Sequence, residues 1–319
     1  MRAVAWNRCW EGFQMRILIS GSTGFLGIAL VETLEGQGHA IARLVRPGTP
    51  QKKPAGGRSQ TVAWDPVAGQ FDAPAAEGTD ALIHLAGASI TGGRWNAAHK
   101  ELLRTSRVSA TRHLIGELAK LQRPPRAIVA ASAIGYYGNG GDETLTEASA
   151  PGNNFLAGLC REWEAETARG AEFGARVVTL RFGIILAAHG GALAQMALPF
   201  KLGAGGRLGD GRQWMSWLTL PEVISIVQFV LAQSRLAGPV NAVTPNPVRN
   251  EEFTRVLAKT LHRPALFPAP AFALRLALGE MADALLLISQ KVMPAKLADS
   301  GYAFLQPDLS SALAKVFRK

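Results

Sequence analysis

The sequence predicts an α/β fold, a parallel sheet doubly wound with helices on both faces, and three observations carry that reading. Short apolar runs bounded by turn residues alternate with stretches of helical periodicity as far as Phe182. The first run, Ile17-Leu18-Ile19, opens directly into Ser20-Gly-Ser-Thr-Gly-Phe-Leu-Gly27, a strand-to-helix turn with three glycines. The chain has 319 residues, 48% of them hydrophobic, which suffices for one large core and a smaller C-terminal substrate lobe.

Taken in order, the first strand begins at Met15-Arg16-Ile17 and the first helix covers Phe25 to Leu34. His39-Ala-Ile-Ala-Arg-Leu-Val45 reads as the second strand and Thr61-Val62-Ala63-Trp64 as a short third. Ala81-Leu-Ile-His-Leu85 is an apolar fourth strand, running into Ala86-Gly87. A long helical segment from Trp95 to Lys120 is basic on one side through Lys100, Arg104 and Arg107, and Pro124-Pro125 stops it. Ala127-Ile-Val-Ala-Ala131 is the fifth strand; a polar Gly-rich loop, a helix from Asn154 to Arg169 and the sixth strand Arg176–Phe182 follow. From Gly183 the rhythm breaks into Gly-rich loops, short helices and prolines, with a strand near 240–243 expected to rejoin the sheet. These readings divide the chain into an N-terminal extension (1–14), a nucleotide-binding domain (15–185) and a substrate lobe with a small C-terminal domain (186–319).

The glycine turn points to a dinucleotide. Gly21 permits the tight turn, Gly24 lets backbone N–H groups approach phosphate at a helix N-terminus, and Gly27 lets helix and strand pack closely. Thr23, Phe25 and Leu26 belong to the same cradle. The G-x-x-G-x-x-G spacing is the form used by short-chain dehydrogenase/reductases, on a Rossmann-type sheet. NAD-binding sheets of this type place a carboxylate after the second strand, about 20 residues on, for the ribose 2′-OH. None occurs between Gly36 and Gln60, whereas Arg43, Arg46, Lys52, Lys53 and Arg58 do. A guanidinium there suits a 2′-phosphate, so the expected cofactor is NADP(H). Ligands bind beyond the carboxyl ends of such strands, where Val45-Arg46, Leu85-Ala86-Gly87 and Ser132 to Gly138 converge with the turn.

Composition narrows the function classes. Net charge is +10 and pI about 10.1, yet the cations are scattered and mixed with acids, so no nucleic-acid partner is expected. No apolar run is long enough to span a bilayer, and no membrane partner is expected. Two cysteines, Cys9 and Cys160, form no disulfide framework, and no metal-ligand spacing appears; a reducing, cytoplasmic compartment is expected. The first fourteen residues lack the apolar core of a signal peptide and read as an added arm.

The chain resembles the atypical extended short-chain dehydrogenase/reductases of the epimerase family, the nucleoside-diphosphate-sugar epimerase-like proteins. The resemblance rests on Ile19 to Gly27, His84-Leu-Ala-Gly87, Gly93-Arg-Trp-Asn96, Ser106-Arg107, Ala131-Ser-Ala-Ile-Gly-Tyr-Tyr-Gly138, Trp163-Glu164, Arg181-Phe-Gly183, Leu198-Pro-Phe200 and Gln213-Trp-Met-Ser-Trp217. Gln290-Lys-Val-Met-Pro294 and Gly301-Tyr-Ala-Phe304 are similar to a small C-terminal domain particular to this family. The resemblance implies bound NADP(H), with Val45, Arg46, Leu85, Ala86, Leu102, Arg107 and Ile185 as cofactor contacts.

Chemistry is the point of departure from the wider superfamily, whose hydride-transfer enzymes use a Tyr with a Lys four residues later, assisted by a Ser. No Tyr-x-x-x-Lys exists here; Phe155-Leu-Ala-Gly-Leu159 stands where it should fall. Ser132 and Tyr136, with Tyr137 beside it, are the expected catalytic hydroxyls. His84 and Cys160 read as core residues, Glu143 and Glu147 as solvated, and Trp214 and Trp217 as packing residues. Arg207, in the turn-rich stretch 203–214 that also carries Arg212, and Gln213 are expected to meet an anionic small-molecule substrate. Two functions follow: an NADP(H)-dependent oxidoreductase or epimerase for a small carbonyl, alcohol or sugar nucleotide, and a non-catalytic NADP(H)-binding redox sensor.

Overall fold

The computed structural model describes residues 14–48 and 59–318. Lys52, Lys53, Arg58, Cys9 and nearly all of the N-terminal arm lie outside them. The main sheet contains β1 (Arg16–Ser20), β2 (Ala40–Val45), β3 (Gln60–Asp65), β4 (Gln70–Phe71), β5 (Ala81–His84), β6 (Ala127–Ala133), β7 (Arg176–Phe182) and β8 (Gly238–Ala242). Their spatial order is β8-β7-β6-β5-β1-β2-β3-β4, parallel throughout except for the β3–β4 hairpin at the edge. The chain therefore builds outward from β1 in one direction, then returns and builds the other way from β5. That reversal leaves a crevice at the carboxyl ends of β1 and β5.

Both faces of the sheet are covered, which explains why its strands read as continuous apolar runs. Successive residues of β1 point to opposite faces. Ile17 and Ile19 pack with Leu30 and Leu34 of α1 (Phe25–Gly36) and with Val223, Ile226 and Val230 of the helix Leu220–Ala232. Leu18 packs on the opposite face with Leu82, Ile128, Leu114 and Leu118. A third cluster, centred on Trp217, Phe253, Leu257 and Leu313, builds the C-terminal part.

Sequence boundaries hold to within a few residues, with one local difference. The long basic helix runs from Ala97 to Leu118, with one wider π-type turn, Thr105–Ser109, in its middle. It does not present a basic face: Lys100 pairs with Glu280, Arg104 pairs with Glu162, and Arg107 turns inward.

Two carboxylates, one fully buried and one half-buried, fasten later elements to the sheet. Glu222, fully buried in the first turn of its helix, accepts the Tyr302 hydroxyl at 2.6 Å and the N–H groups of Leu305 and Gln306. Glu147, expected in solvent, instead accepts the N–H of Asn241 in β8 at 3.0 Å and that of Lys296 at 3.2 Å. Backbone donors, one late in β8 and one at the start of the helix Ala295–Asp299, outbid water for it.

Candidate functional site

The crevice is assembled from backbone first. Gly21 sits at φ +68, and a Cβ there would lie 2.8 Å from the Leu85 carbonyl carbon, so the β1 turn and the β5 exit are pressed together. Ser20 Oγ fixes the approach by accepting the N–H groups of Leu85 and Ala86 at 3.1 and 3.2 Å. Gly27 is needed for packing, since a Cβ there would fall 2.1 Å from the Gly21 carbonyl oxygen.

Gly24 is different. Its φ of −79 suits any residue, a Cβ would meet only the Gly21 oxygen at 3.3 Å, and the residue is exposed. As the residue preceding α1 it supplies no side-chain cap, and the first intrahelical bond is from Ile28 N–H to the Gly24 carbonyl. The N–H groups of Phe25, Leu26 and Gly27 precede that bond and point along the helix axis, with the positive end of the dipole behind them. Such a cradle fits a pyrophosphate. Gly24→Val is therefore expected to fold normally but to lose the rise in melting temperature that NADPH gives the parent. A normal rise in thermal-shift measurements would place Gly24 away from the cofactor.

Around the cradle, Thr23 is exposed, while the Phe25 ring packs against Gly190 and Gly191, in the loop that follows Ile185. Val45 is buried at the end of β2 and Arg46 is exposed just beyond it. Arg43, grouped with Arg46 by sequence, is buried in β2, because its position in the strand turns it into the layer. Leu85 and Ala86 are half-buried, Gly87 and Leu102 exposed.

Arg107 is held by the wide helical turn. Its Nη2 donates to the Ala88 carbonyl at 2.9 Å, its guanidinium lies 5.3 Å from the Trp163 ring centre, and a Cβ on Gly87 would lie 3.0 Å from it. Burial lowers its pKa from the ordinary arginine value, and no carboxylate pairs with it among the described residues. A desolvated cation held by carbonyls and an aromatic ring has the chemistry to attract an anion beside the Leu85–Gly87 edge.

The expected catalytic hydroxyls are not arranged as the sequence suggested. Ser132, at 4% exposure, donates to Glu164 Oε1 at 2.6 Å. Glu164 also receives both Nε and Nη2 of Arg181, at 2.9 and 2.7 Å. Arg181 Nη1 donates to the Tyr137 hydroxyl at 2.9 Å, and that hydroxyl donates to Asn241 Oδ1 at 2.6 Å. The Tyr136 ring lies 3.4 Å from the Arg181 guanidinium, and its hydroxyl makes no hydrogen bond among the described residues. Ser132 and Tyr137 are thus members of one buried network, and Tyr136 is the neighbouring free hydroxyl. Alternation along β6 aims Ser132 at the helix Phe155–Ala168, a constraint that residue type alone does not reveal.

Electrostatics follow from burial. Burial pushes the Tyr137 hydroxyl up to about 12, against the pull of Arg181 and Asn241. Burial likewise raises the Cys160 thiol to about 11, so it is inert at neutral pH. Burial also lowers His84 to about 4; its ring is held between Ser20 Oγ and Thr111 Oγ1 at 2.6 and 2.8 Å, as a core histidine. Burial works against the Arg181 charge, but Glu164 and Tyr137 outweigh it and hold the guanidinium firmly protonated.

The positions of the missing Tyr–Lys pair are apolar. Leu159 is buried with Leu103, Val108 and Leu156, and Phe155 stacks edge-on to Trp95 at 5.6 Å. Phe155 and Tyr137 line an open cavity of about 700 Å³, with Ala284, Leu287 and Ile288 also in its wall. Arg207 and Gln213 lie outside its lining. Gln213 is buried, its amide donating to the Leu208 and Leu286 carbonyls, and Arg207 is exposed. Of the two tryptophans, Trp217 is fully buried, and the Trp214 indole donates to Asp142 at 2.9 Å.

Sequence reasoning missed Glu164, Arg181 and Asn241 as one unit. One signal was available: Arg181 is a cation near the end of the strand, between the apolar Leu180 and Phe182, and a buried cation needs a partner.

A parallel sheet with its topological crevice, a phosphate cradle and flanking guanidinium groups define a dinucleotide-binding protein of the short-chain dehydrogenase/reductase type. The chain belongs to the NAD dependent epimerase/dehydratase family, whose model matches residues 17–242; residues 269–316 match a domain of unknown function, DUF1731. It is similar to an epimerase family protein of Mycobacterium bovis, 39% identical over 297 residues covering 93% of this chain and 96% of that one. The YfhF epimerase family protein of Bacillus subtilis is 37% identical over 307 residues, 95% and 98% of the two chains. Among solved structures, human epimerase family protein SDR39U1 with NADPH superposes at a TM-score of 0.84 and 31% identity, covering 95% of this chain and 99% of that chain.

Proposed function

We propose that this protein binds NADP(H) in the β1–β5 crevice and acts as an oxidoreductase or epimerase on a small carbonyl, alcohol or sugar-nucleotide substrate. The observation that carries the cofactor is the uncapped α1 N-terminus facing the Leu85–Ala86 edge, with Arg46 exposed at the end of β2. The NADPH in the human relative's structure supports the same reading. Gly21 to Gly27 would receive the pyrophosphate, Arg46 the 2′-phosphate and Arg107 the adenosine side, with Val45, Leu102 and Ile185 lining the pocket. The bound nicotinamide supplies hydride chemistry. Tyr136, whose hydroxyl has no partner among the described residues, is read as the group that holds or donates a proton at a substrate oxygen, whereas Ser132 is read as acting through Glu164. Apart from Leu220–Ala232 and β8, which build the main sheet and its cover, residues 186–319 are read as the lobe that closes the substrate side.

A screen for NADPH oxidation across carbonyl compounds and sugar nucleotides tests the reading. Turnover by the parent, slowed in Tyr136→Phe with NADPH affinity retained, is the expected outcome. Turnover indifferent to Tyr136 would move proton transfer elsewhere. One observation favours a second reading, a non-catalytic redox sensor: Phe155 and Leu159 fill the dyad positions with apolar side chains. NADPH binding without any turnover, coupled to a change in a partner interaction, would select it.

A further inference from the structure

Six large apolar side chains stand exposed on two neighbouring segments: Leu198, Leu202, Leu266, Phe267, Phe272 and Leu276. The segments are tied side by side, Phe267 N–H donating to the Gly205 carbonyl at 3.1 Å and Ala269 N–H to that of Arg207 at 2.8 Å. Leu198 and Leu202 lie one turn apart, as do Phe272 and Leu276, so each pair shares a face. The helix Ala271–Leu278, Ala-Phe-Ala-Leu-Arg-Leu-Ala-Leu, buries no residue at all; Phe272 is 73% and Leu276 84% exposed. A folded chain seldom leaves so apolar a helix in water without an occupant.

Charge indicates the occupant. Residues 189–209 and 253–279 contain no Asp or Glu and carry Lys201, Arg207, Arg255, Lys259, Arg263 and Arg275; the bordering acids are Asp210, Glu251, Glu252 and Glu280, the last paired with Lys100. Arg275 is paired, with Asp283; Lys201, Arg207, Arg255, Lys259 and Arg263 are exposed. The chain as a whole carries +10. A second copy would bring like charge against like charge. An anionic bilayer offers apolar depth for the Phe and Leu side chains and negative headgroups for the exposed cations of the same two segments.

We propose that this face docks peripherally on an anionic lipid surface, with the helix Ala271–Leu278 lying in the plane of the interface. No helix among the described residues is long and apolar enough to cross a membrane, and none is required. The absence of a spanning run, from which no membrane partner was expected, does not bear on contact of this kind.

The test is co-sedimentation of the full chain with vesicles of phosphatidylcholine alone, or containing roughly one third phosphatidylglycerol. Binding to the anionic vesicles, weakened by added salt, is expected. Phe272→Ser with Leu276→Ser should weaken it at least about tenfold without changing the melting temperature, because both side chains are already in water. Equal binding to neutral vesicles would overturn the proposal, because charge is what names an anionic surface. Anionic binding that the double variant leaves intact would be general attraction to a basic protein and would overturn the proposal. So would absence of binding, whether the parent is monomeric or self-associates through these residues in analytical ultracentrifugation.

Discussion

Glu164→Ala is expected to destabilise the fold by about 3–5 kcal/mol, because it strips the partner from a buried cation. Arg181 is 3% exposed and meets the Glu164 carboxylate with two hydrogen bonds. Once the carboxylate is gone, Ser132 loses its acceptor and only the Tyr137 hydroxyl remains for the guanidinium. A fall in melting temperature on the order of 10 °C is the corresponding observable. Glu164→Gln, which keeps the shape and loses the charge, should fall less, and replacing Glu164 and Arg181 together by apolar residues should recover part of the loss. A Glu164→Ala protein melting within about a degree of the parent would mean that water enters the network and screens it.

Arg46→Ala is expected to weaken NADPH about ten- to a hundredfold and to leave NADH almost unchanged. A hydrogen bond to a charged group contributes about 1.5–3 kcal/mol, and only NADPH carries the 2′-phosphate that would receive it. Removing the side chain costs the fold little, since Arg46 is exposed beyond the end of β2. Calorimetric titration of both cofactors distinguishes the outcomes. Equal losses for NADPH and NADH would place Arg46 away from the ribose, and a parent that prefers NADH would reverse the cofactor assignment.

What the sequence made legible depended on backbone rules. Gly21 and Gly27 were readable because a close approach or a left-handed φ admits few other residues, and the structure shows both constraints at these positions. Strands were readable because a sheet covered on both faces demands unbroken apolar runs. The catalytic side was less legible because a hydroxyl's role depends on its direction. Ser132 and Tyr136 were identified by type and neighbourhood, yet the turn of β6 aims Ser132 at a carboxylate 32 residues away. Arg43 and Arg46 likewise differ only in which side of a strand end they occupy. Glu147 was unreadable for a further reason: its partners, Asn241 and Lys296, lie 94 and 149 residues on, and no local pattern encodes them.

The Glu222 carboxylate has a consequence for how the two family segments are inherited. It sits inside the nucleotide-binding core, beside Val223 and Ile226, yet three of its donors come from residues 302–306 of the C-terminal region. Were that region absent, a charge would be left in hydrocarbon with nothing to neutralise or solvate it. The C-terminal region is therefore no detachable module. A recombination that exchanged it for an unrelated sequence would have to return a hydroxyl and two amides to the same point, or change Glu222 in the same event.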